Sequence, residues 1–167
     1  DGSFADTVGL FQPGGYWRMR YSNSGGGFDK SILFGQQAGD KPVAARWGNW
    51  NMDMPGIVRG NQWLYPSPTG GSAVNLGGYG NPGDRPFASG DQLPLRLVVR
   101  PQVTVWRWFV GACCPGGGTS AWMDYGNTSH IPVFGDWNGD GTDTPGVYIP
   151  ALGQWHLNNH WTDNIAD

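Results

Sequence analysis

One loop carries residue types and a spacing that are typical of a metal site. Asp136, Asn138 and Asp140 place side-chain oxygens at its positions 1, 3 and 5, and Gly141 at position 6 permits a sharp turn. Such a loop wraps Ca²⁺, which takes about six to eight oxygen ligands, and it uses the backbone carbonyl at position 7, here Thr142. The alternative is an Asx turn that only shapes a hairpin.

Tryptophans are the second group of interest, because their faces bind sugar rings and partner surfaces. The sequence has ten of them. Four recur with an internal repeat and are predicted to be core residues: Trp17, Trp63, Trp106 and Trp155. Four others fall outside that register and are predicted to be exposed ligand-binding platforms: Trp50, Trp108, Trp122 and Trp161.

The other reactive residues predict no catalytic site. His156 and His160 have no third metal ligand at a usable spacing. Every Asp falls at a turn or a repeat position, which disfavours a carboxylate pair for glycoside hydrolysis. We therefore expect a protein that is not an enzyme. The adjacent Cys113 and Cys114 either close a strained ring or remain two free thiols.

The composition favours strands over helices. Gly and Pro, which break helices, number 29 and 13, and the helix former Glu is absent. A net charge of −3 gives no case for nucleic acid. No run approaches the roughly 18 apolar residues of a membrane span. The sequon at Asn127 favours an extracellular setting, and a first residue other than Met is expected of a processed chain.

A repeat of about 45 residues organises the chain. The aromatic–glycine pairs Phe34-Gly35, Tyr79-Gly80 and Tyr125-Gly126 are 45 and 46 residues apart. The segments WGNWNMDMPG, from Trp47, and WNGDGTDTPG, from Trp137, align without gaps and share Trp, Asp, Pro and Gly. Each unit reads as four short strands: a Pro-Val run, a Gly-Val/Ile run, a Trp run and a strand that ends in aromatic–Gly.

This pattern predicts an all-β, β-propeller-type stack of four-stranded antiparallel blades, because a single sheet cannot bury both of its faces. About four blade equivalents fit one domain, with three, four, four and three strands, so that the first and last blades are incomplete. The predicted units span residues 1–41, 42–85, 86–131 and 132–167. The alternative is a β-sandwich, which needs no fixed period.

The segment Gly135 to Tyr148 (GDWNGDGTDTPGVY) resembles the bacterial FG-GAP/VCBS-like repeat, which is related to the integrin α-chain propeller. The resemblance implies an extracellular β-propeller used in adhesion, ligand display or carbohydrate binding. The family's calcium loop carries Asp at position 9, where this chain has Thr144. The resemblance therefore implies one weak calcium site, made of Asp136, Asn138, Asp140, Thr142 and Thr144.

Three functional hypotheses follow. The first is a non-catalytic extracellular module for adhesion, partner binding or self-assembly. The alternatives are a lectin with aromatic pockets between blades, and a fragment or accessory domain of a secreted hydrolase. The unpaired edges of incomplete blades favour self-association or pairing with another protein chain.

Overall fold

The computed structural model describes residues 8–47, 53–88, 96–111 and 119–161. Within these ranges the chain forms fourteen strands in four antiparallel sheets and no helix, which confirms the all-β prediction. With no helix in the described ranges, none is long and apolar enough to cross a membrane. Trp50, Cys113 and Cys114 lie outside the described residues.

Each sheet is built from strands that are consecutive in the chain. The first contains β1 (Gly9–Gln12), β2 (Tyr16–Met19) and β3 (Lys30–Leu33). The second contains β4 (Lys41–Ala45), β5 (Met54–Arg59), β6 (Gln62–Tyr65) and β7 (Val74–Gly78). The third contains β8 (Arg85–Ala88), β9 (Arg96–Pro101), β10 (Val105–Gly111) and β11 (Thr119–Asn127). The fourth contains β12 (Ile131–Gly135), β13 (Thr144–Ile149) and β14 (Gln154–Leu157). The described strands therefore number three, four, four and three, as expected.

Glycine at a positive φ closes the hairpins where the sequence predicts turns. Gly60, between β5 and β6, has a φ of 62°, and Gly153, between β13 and β14, has a φ of 66°. Side chains with a Cβ avoid this left-handed region, so glycine is the residue that such tight turns favour.

The sheets pack against one another in chain order. One core cluster joins Trp63 and Val58 of the second sheet to Val98 of the third. Another joins Trp108 of the third sheet to Val147 of the fourth. Between the first and second sheets the backbone of Gly35 comes so close to the side chain of Ile57 that a Cβ on Gly35 would lie 2.6 Å from Cγ2 of Ile57.

A tryptophan in the third strand of the repeat anchors each of the first three sheets. The indole N–H of Trp17 donates to the carbonyl of Phe34, that of Trp63 to Tyr79 and that of Trp108 to Tyr125, over 3.0, 3.1 and 3.0 Å. Each acceptor is the aromatic residue of an aromatic–glycine pair, so the repeat has one structural basis in all three sheets.

Trp108, not Trp106, holds the repeat position in the third sheet. Trp108 lies opposite Val99, as Trp63 lies opposite Val58. Trp106 is also buried, but its indole N–H donates to the carbonyl of His130. The prediction that Trp108 is an exposed platform is therefore wrong. The β10 strand carries both tryptophans two residues apart, and spacing alone did not distinguish them.

The ungapped alignment of Trp47 with Trp137 also corresponds to one local structure. The indole N–H of Trp47 donates to the carbonyl of Met54 over 2.8 Å, and that of Trp137 donates to Thr144 over 3.0 Å. Both rings lie against a glycine of the next strand: a Cβ on Gly56 would be 2.6 Å from Cζ2 of Trp47, and one on Gly146 would be 3.1 Å from Cζ2 of Trp137.

Candidate functional site

A cleft of about 320 Å³ lies where the second sheet meets the third. Its walls combine two asparagines with aromatic and arginine side chains; the principal lining residues are Asn61, Tyr79, Asn81, Arg100, Phe109 and Thr119. Asn81 and Thr119 are exposed, so the cleft is reached from the surface. Such a mixture of aromatic surface and a few polar groups is typical of small-ligand sites.

Arg100 is held in the cleft wall by a bidentate ion pair. Its Nε and Nη2 donate to the two carboxylate oxygens of Asp84, each over 2.8 Å. Asp84 also accepts the backbone N–H of Asn81 over 2.8 Å. The guanidinium lies 4.8 Å from the ring centre of Phe109. The hydrogen bond that Arg100 donates to Asp84 raises the pKa of Arg100.

Tyr79 forms the buried side of the cleft. Burial is the main cause that raises the pKa of its phenol, so the hydroxyl keeps its proton at neutral pH. Its backbone N–H donates to the carbonyl of Asn61 over 2.8 Å. This bond ties one rim of the cleft to the turn that begins at Gly60.

An exposed tryptophan extends the cleft on the third sheet. Trp122 lies directly opposite the cleft residue Phe109, and 58% of it is exposed. The guanidinium of Arg107 lies 4.3 Å from the Trp122 ring centre. Arg107 in turn donates to both carboxylate oxygens of Asp124, over 2.7 and 2.8 Å. The hydrogen bond from Arg107 lowers the pKa of Asp124.

Together these residues make one surface, which we name the Trp122 surface: Trp122, Arg107 and the cleft residues Phe109, Arg100, Asn61 and Asn81. Its aromatic faces bind the apolar face of a ring, and its amides and guanidinium donate hydrogen bonds to hydroxyl or carbonyl oxygens. Because Arg107 and Arg100 are each held by a carboxylate, the surface is organised before a ligand arrives.

Of the four tryptophans predicted to bind a ligand, only Trp122 belongs to this surface. Trp108 is 0% exposed and lies in the core. Trp161 is half-buried, with its ring centre 5.9 Å from that of Phe134. Among the four predicted core tryptophans, Trp17, Trp63 and Trp106 are buried, but Trp155 is 59% exposed and that prediction is wrong. Its face of the fourth sheet is not covered by another described sheet.

The predicted calcium loop closes on its own hydrogen bonds. Asp136 accepts the backbone N–H groups of Gly139, Asp140 and Gly141, and Asn138 donates to Asp140 over 2.9 Å. The bond from Asn138 is the main cause that lowers the pKa of Asp140.

The donor set of this loop fits calcium only in part. Asp136, Asn138 and Asp140 supply side-chain oxygens, and Thr142 supplies a backbone carbonyl. Thr144 is buried within β13. The loop thus offers fewer oxygens than the roughly six to eight that Ca²⁺ takes. The described residues contain no group of three or more His, Cys, Asp or Glu that could hold a metal. His156 and His160 are therefore not part of such a group within the described residues.

Sequence reasoning missed most of the Trp122 surface. Phe109 and Arg107 lie beside Trp122 only because β10 pairs with β11, a register that no sequence pattern indicated. A weak signal for Arg100 was present in the repeat. Asp84 aligns with Asp40, and the second strand after each aspartate carries an arginine near its end: Arg59 in β5 and Arg100 in β9. Arg59 makes the same bidentate contact with Asp40, over 2.8 and 2.9 Å.

Comparison with known proteins returns no match: no protein-family model, no curated protein and no solved structure is similar to this chain.

Proposed function

We propose that the chain is a non-catalytic, extracellular recognition module of the β-propeller-repeat type, used for adhesion or partner binding. The repeated contact between consecutive sheets supports the architecture. Gly35, Gly80 and Gly126 each approach a branched side chain of the next sheet so closely that a Cβ would collide with it. Propellers stack small sheets radially through such nearest-neighbour contacts.

The observation that carries the recognition role is the pre-organised Trp122 surface. A tryptophan that remains 58% exposed while an arginine is fixed across its ring buries little area of its own. Exposed aromatic and arginine groups that are held in place are the residues that dominate binding energy in interfaces. A ligand that covers Trp122 would also reach the cleft beside Phe109.

A second candidate function is that of a lectin, and one observation favours it. Asn61 and Asn81 line the same cleft as Arg100, next to two aromatic rings. Amide and guanidinium groups beside aromatic faces suit a saccharide, whose ring has an apolar face and a hydroxylated rim.

Two assays on the same variants test the proposal. Beads that display the chain are scored for adhesion to cells and matrix, and the soluble chain is applied to a glycan array. Trp122→Ala should reduce the productive binding by tenfold or more, as expected for a central aromatic contact. Tyr21→Ala is the control, because Tyr21 is an exposed aromatic outside the Trp122 surface.

The outcomes separate the candidates. Glycan binding that Trp122→Ala abolishes supports the lectin. Adhesion that free saccharides do not inhibit, and that Trp122→Ala abolishes, supports a protein partner. Binding that Trp122→Ala leaves intact removes the Trp122 surface from the function, and a chain that binds neither cells, matrix nor glycans contradicts the proposal.

A further inference from the structure

The first sheet has a face with three exposed apolar residues that points away from the second sheet. Opposed residues of an antiparallel pair share a face, and alternate residues of a strand return to it. By this rule Leu10, Tyr16 and Leu33 lie on the face opposite to that of the buried Trp17, and they share it with the polar residues Gln12, Arg18 and Ser31. They are 50, 48 and 51% exposed. We call these three residues the Leu10 face.

The fourth sheet has a corresponding face that points away from the third sheet. Ile131 lies opposite Tyr148, and Tyr148 lies opposite Trp155, so the three side chains form one row. Ile131 and Trp155 are 45 and 59% exposed, and the Tyr148 and Trp155 ring centres are 4.8 Å apart. We call this row the Trp155 face.

Within the chain, the position of Leu10 is otherwise always covered. Leu10 precedes Phe11, the residue opposite Trp17. The residues at the same position in the other sheets are Ile57, Val98 and Val147, and all three are buried. Each lies against a glycine of the preceding sheet: Gly35, Gly80 or Gly126. Leu10 is the one member of this set without a preceding described sheet.

The position of Trp155 is likewise covered everywhere else. Trp17, Trp63 and Trp108 occupy it in the other three sheets, and all are buried with the indole N–H bonded to a carbonyl. The indole N–H of Trp155 has no acceptor among the described residues. The Leu10 face and the Trp155 face thus hold the two sets of strand positions that face each other in the three internal contacts. The aromatic–glycine pair that follows the third strand in the first three sheets has no counterpart in the described part of the fourth sheet.

We propose that the Trp155 face of one copy docks on the Leu10 face of a second copy, head to tail. A second copy is the occupant because its two faces present the strand positions that meet between consecutive sheets within one chain, in the same register. The contact is heterologous, so it propagates until a ring closes or a filament forms. It uses neither Trp122 nor the cleft, and it stands or falls separately from ligand binding.

Two charged variants and their mixture test this geometry. Leu10→Asp blocks the Leu10 face and leaves the Trp155 face intact, and Trp155→Asp does the reverse. Light scattering at about 1 to 300 µM, a range suited to a small interface, should show wild-type mass rising with concentration. Each variant alone should stay monomeric, whereas the equimolar mixture should form dimers and nothing larger, since each dimer retains only blocked faces.

Two further variants serve as controls. Val103→Asp changes a 96% exposed hairpin residue outside both faces and should associate like wild type. Trp122→Ala should also associate normally, which separates this inference from the proposed function. Circular dichroism and melting curves confirm that each variant is folded; if one is not, Tyr16→Asp replaces Leu10→Asp and Ile131→Asp replaces Trp155→Asp.

Three results would overturn the proposal. The first is a wild-type chain that remains monomeric over the whole range. The second is a single variant that still associates, as it would if two identical faces met. The third is a mixture of folded variants that remains monomeric.

Discussion

Trp63 and Trp155 occupy the same position in two sheets and have opposite surroundings. Each lies in the third strand of its repeat, opposite a residue of the second strand. Trp63 is 0% exposed and donates its indole N–H to Tyr79, whereas Trp155 is 59% exposed. The strand and the residue type are alike, so the neighbouring sheet decides whether the tryptophan is a core residue or a surface for contact.

A second comparison concerns the turn that precedes each of the last three sheets. Asp40 and Asp84 each accept the backbone N–H three residues earlier and pair with an arginine. In the fourth sheet His130 takes this turn position and accepts the N–H of Asn127 through Nδ1 over 3.2 Å. Ile149 stands where the arginines stand, since Ile131 pairs with Tyr148 as Arg85 pairs with Val99. The fourth sheet therefore keeps the backbone hydrogen bond of the turn with an imidazole acceptor and has an isoleucine at the position of the arginine.

The largest expected effect on stability is the difference between removing the buried Trp63 and removing its exposed counterpart Trp155. Trp63→Ala should lower the free energy of unfolding by about 3 to 5 kcal/mol, because it opens a core cavity. Trp155→Ala should cost less than about 1 kcal/mol, because exposed sites contribute little. Urea unfolding at low protein concentration measures both. Equal costs would contradict the comparison.

The next effect tests the ion pair against its apolar equivalent. Arg100→Ile leaves the buried carboxylate of Asp84 without its partner, and we expect a loss of about 2 to 3 kcal/mol, below the fully buried range because Arg100 is partly exposed. Adding Asp84→His to Arg100→Ile recreates the combination of the fourth sheet and should recover most of the loss. A double variant no more stable than Arg100→Ile would show that the two turns are not equivalent.

Close packing between sheets is tested with a pair of glycines. Gly126 and Gly139 have φ angles of 79° and 77°, so alanine pays a similar left-handed cost of about 1 to 2 kcal/mol at each. A Cβ on Gly126 would lie 2.4 Å from Cγ1 of Val147, whereas one on Gly139 would contact nothing. Gly126→Ala should therefore cost about 1 to 3 kcal/mol more than Gly139→Ala in urea unfolding. If the two variants lose the same unfolding free energy, the third and fourth sheets lie further apart than in this structure.

Acid should weaken the ion-paired turn at Asp40. The hydrogen bond from Arg59 lowers the pKa of Asp40, whose side chain is 1% exposed. A carboxyl with a lowered folded pKa stabilises the protein above its unfolded value, near pH 4, and this contribution is lost as pH falls through the folded pKa. Asp40→Asn should flatten the decline of unfolding free energy below about pH 4. An unchanged slope would mean that Asp40 does not titrate differently on folding.

Calcium should have the smallest effect. With an affinity on the order of 1 mM, as for weak extracellular sites, 5 mM Ca²⁺ would stabilise the chain by about 1 kcal/mol. Asp140→Asn should remove that shift in the melting temperature, and Mg²⁺ should not reproduce it. A shift that persists in Asp140→Asn would place the ion elsewhere.

Much of the strand pattern was predictable because it depends on local chemistry. The turns at Gly60 and Gly153 need only a glycine that can adopt a positive φ, and they do not depend on neighbouring sheets. Alternating apolar residues likewise indicate strands. The candidate site was not predictable in the same way. Trp122 was identified among the candidates, but Arg107 and Phe109 join it only through the pairing of β10 with β11.

The repeat and its composition were therefore enough to predict an all-β chain of short strands grouped as three, four, four and three. Local turn geometry and strand alternation are written in neighbouring residues, so they can be read without coordinates. Burial depends on what another sheet covers, and sequence neighbours do not report it. Only the tertiary structure decided that Trp108 is core, that Trp155 is exposed and that Trp122 stands beside a cleft between two sheets.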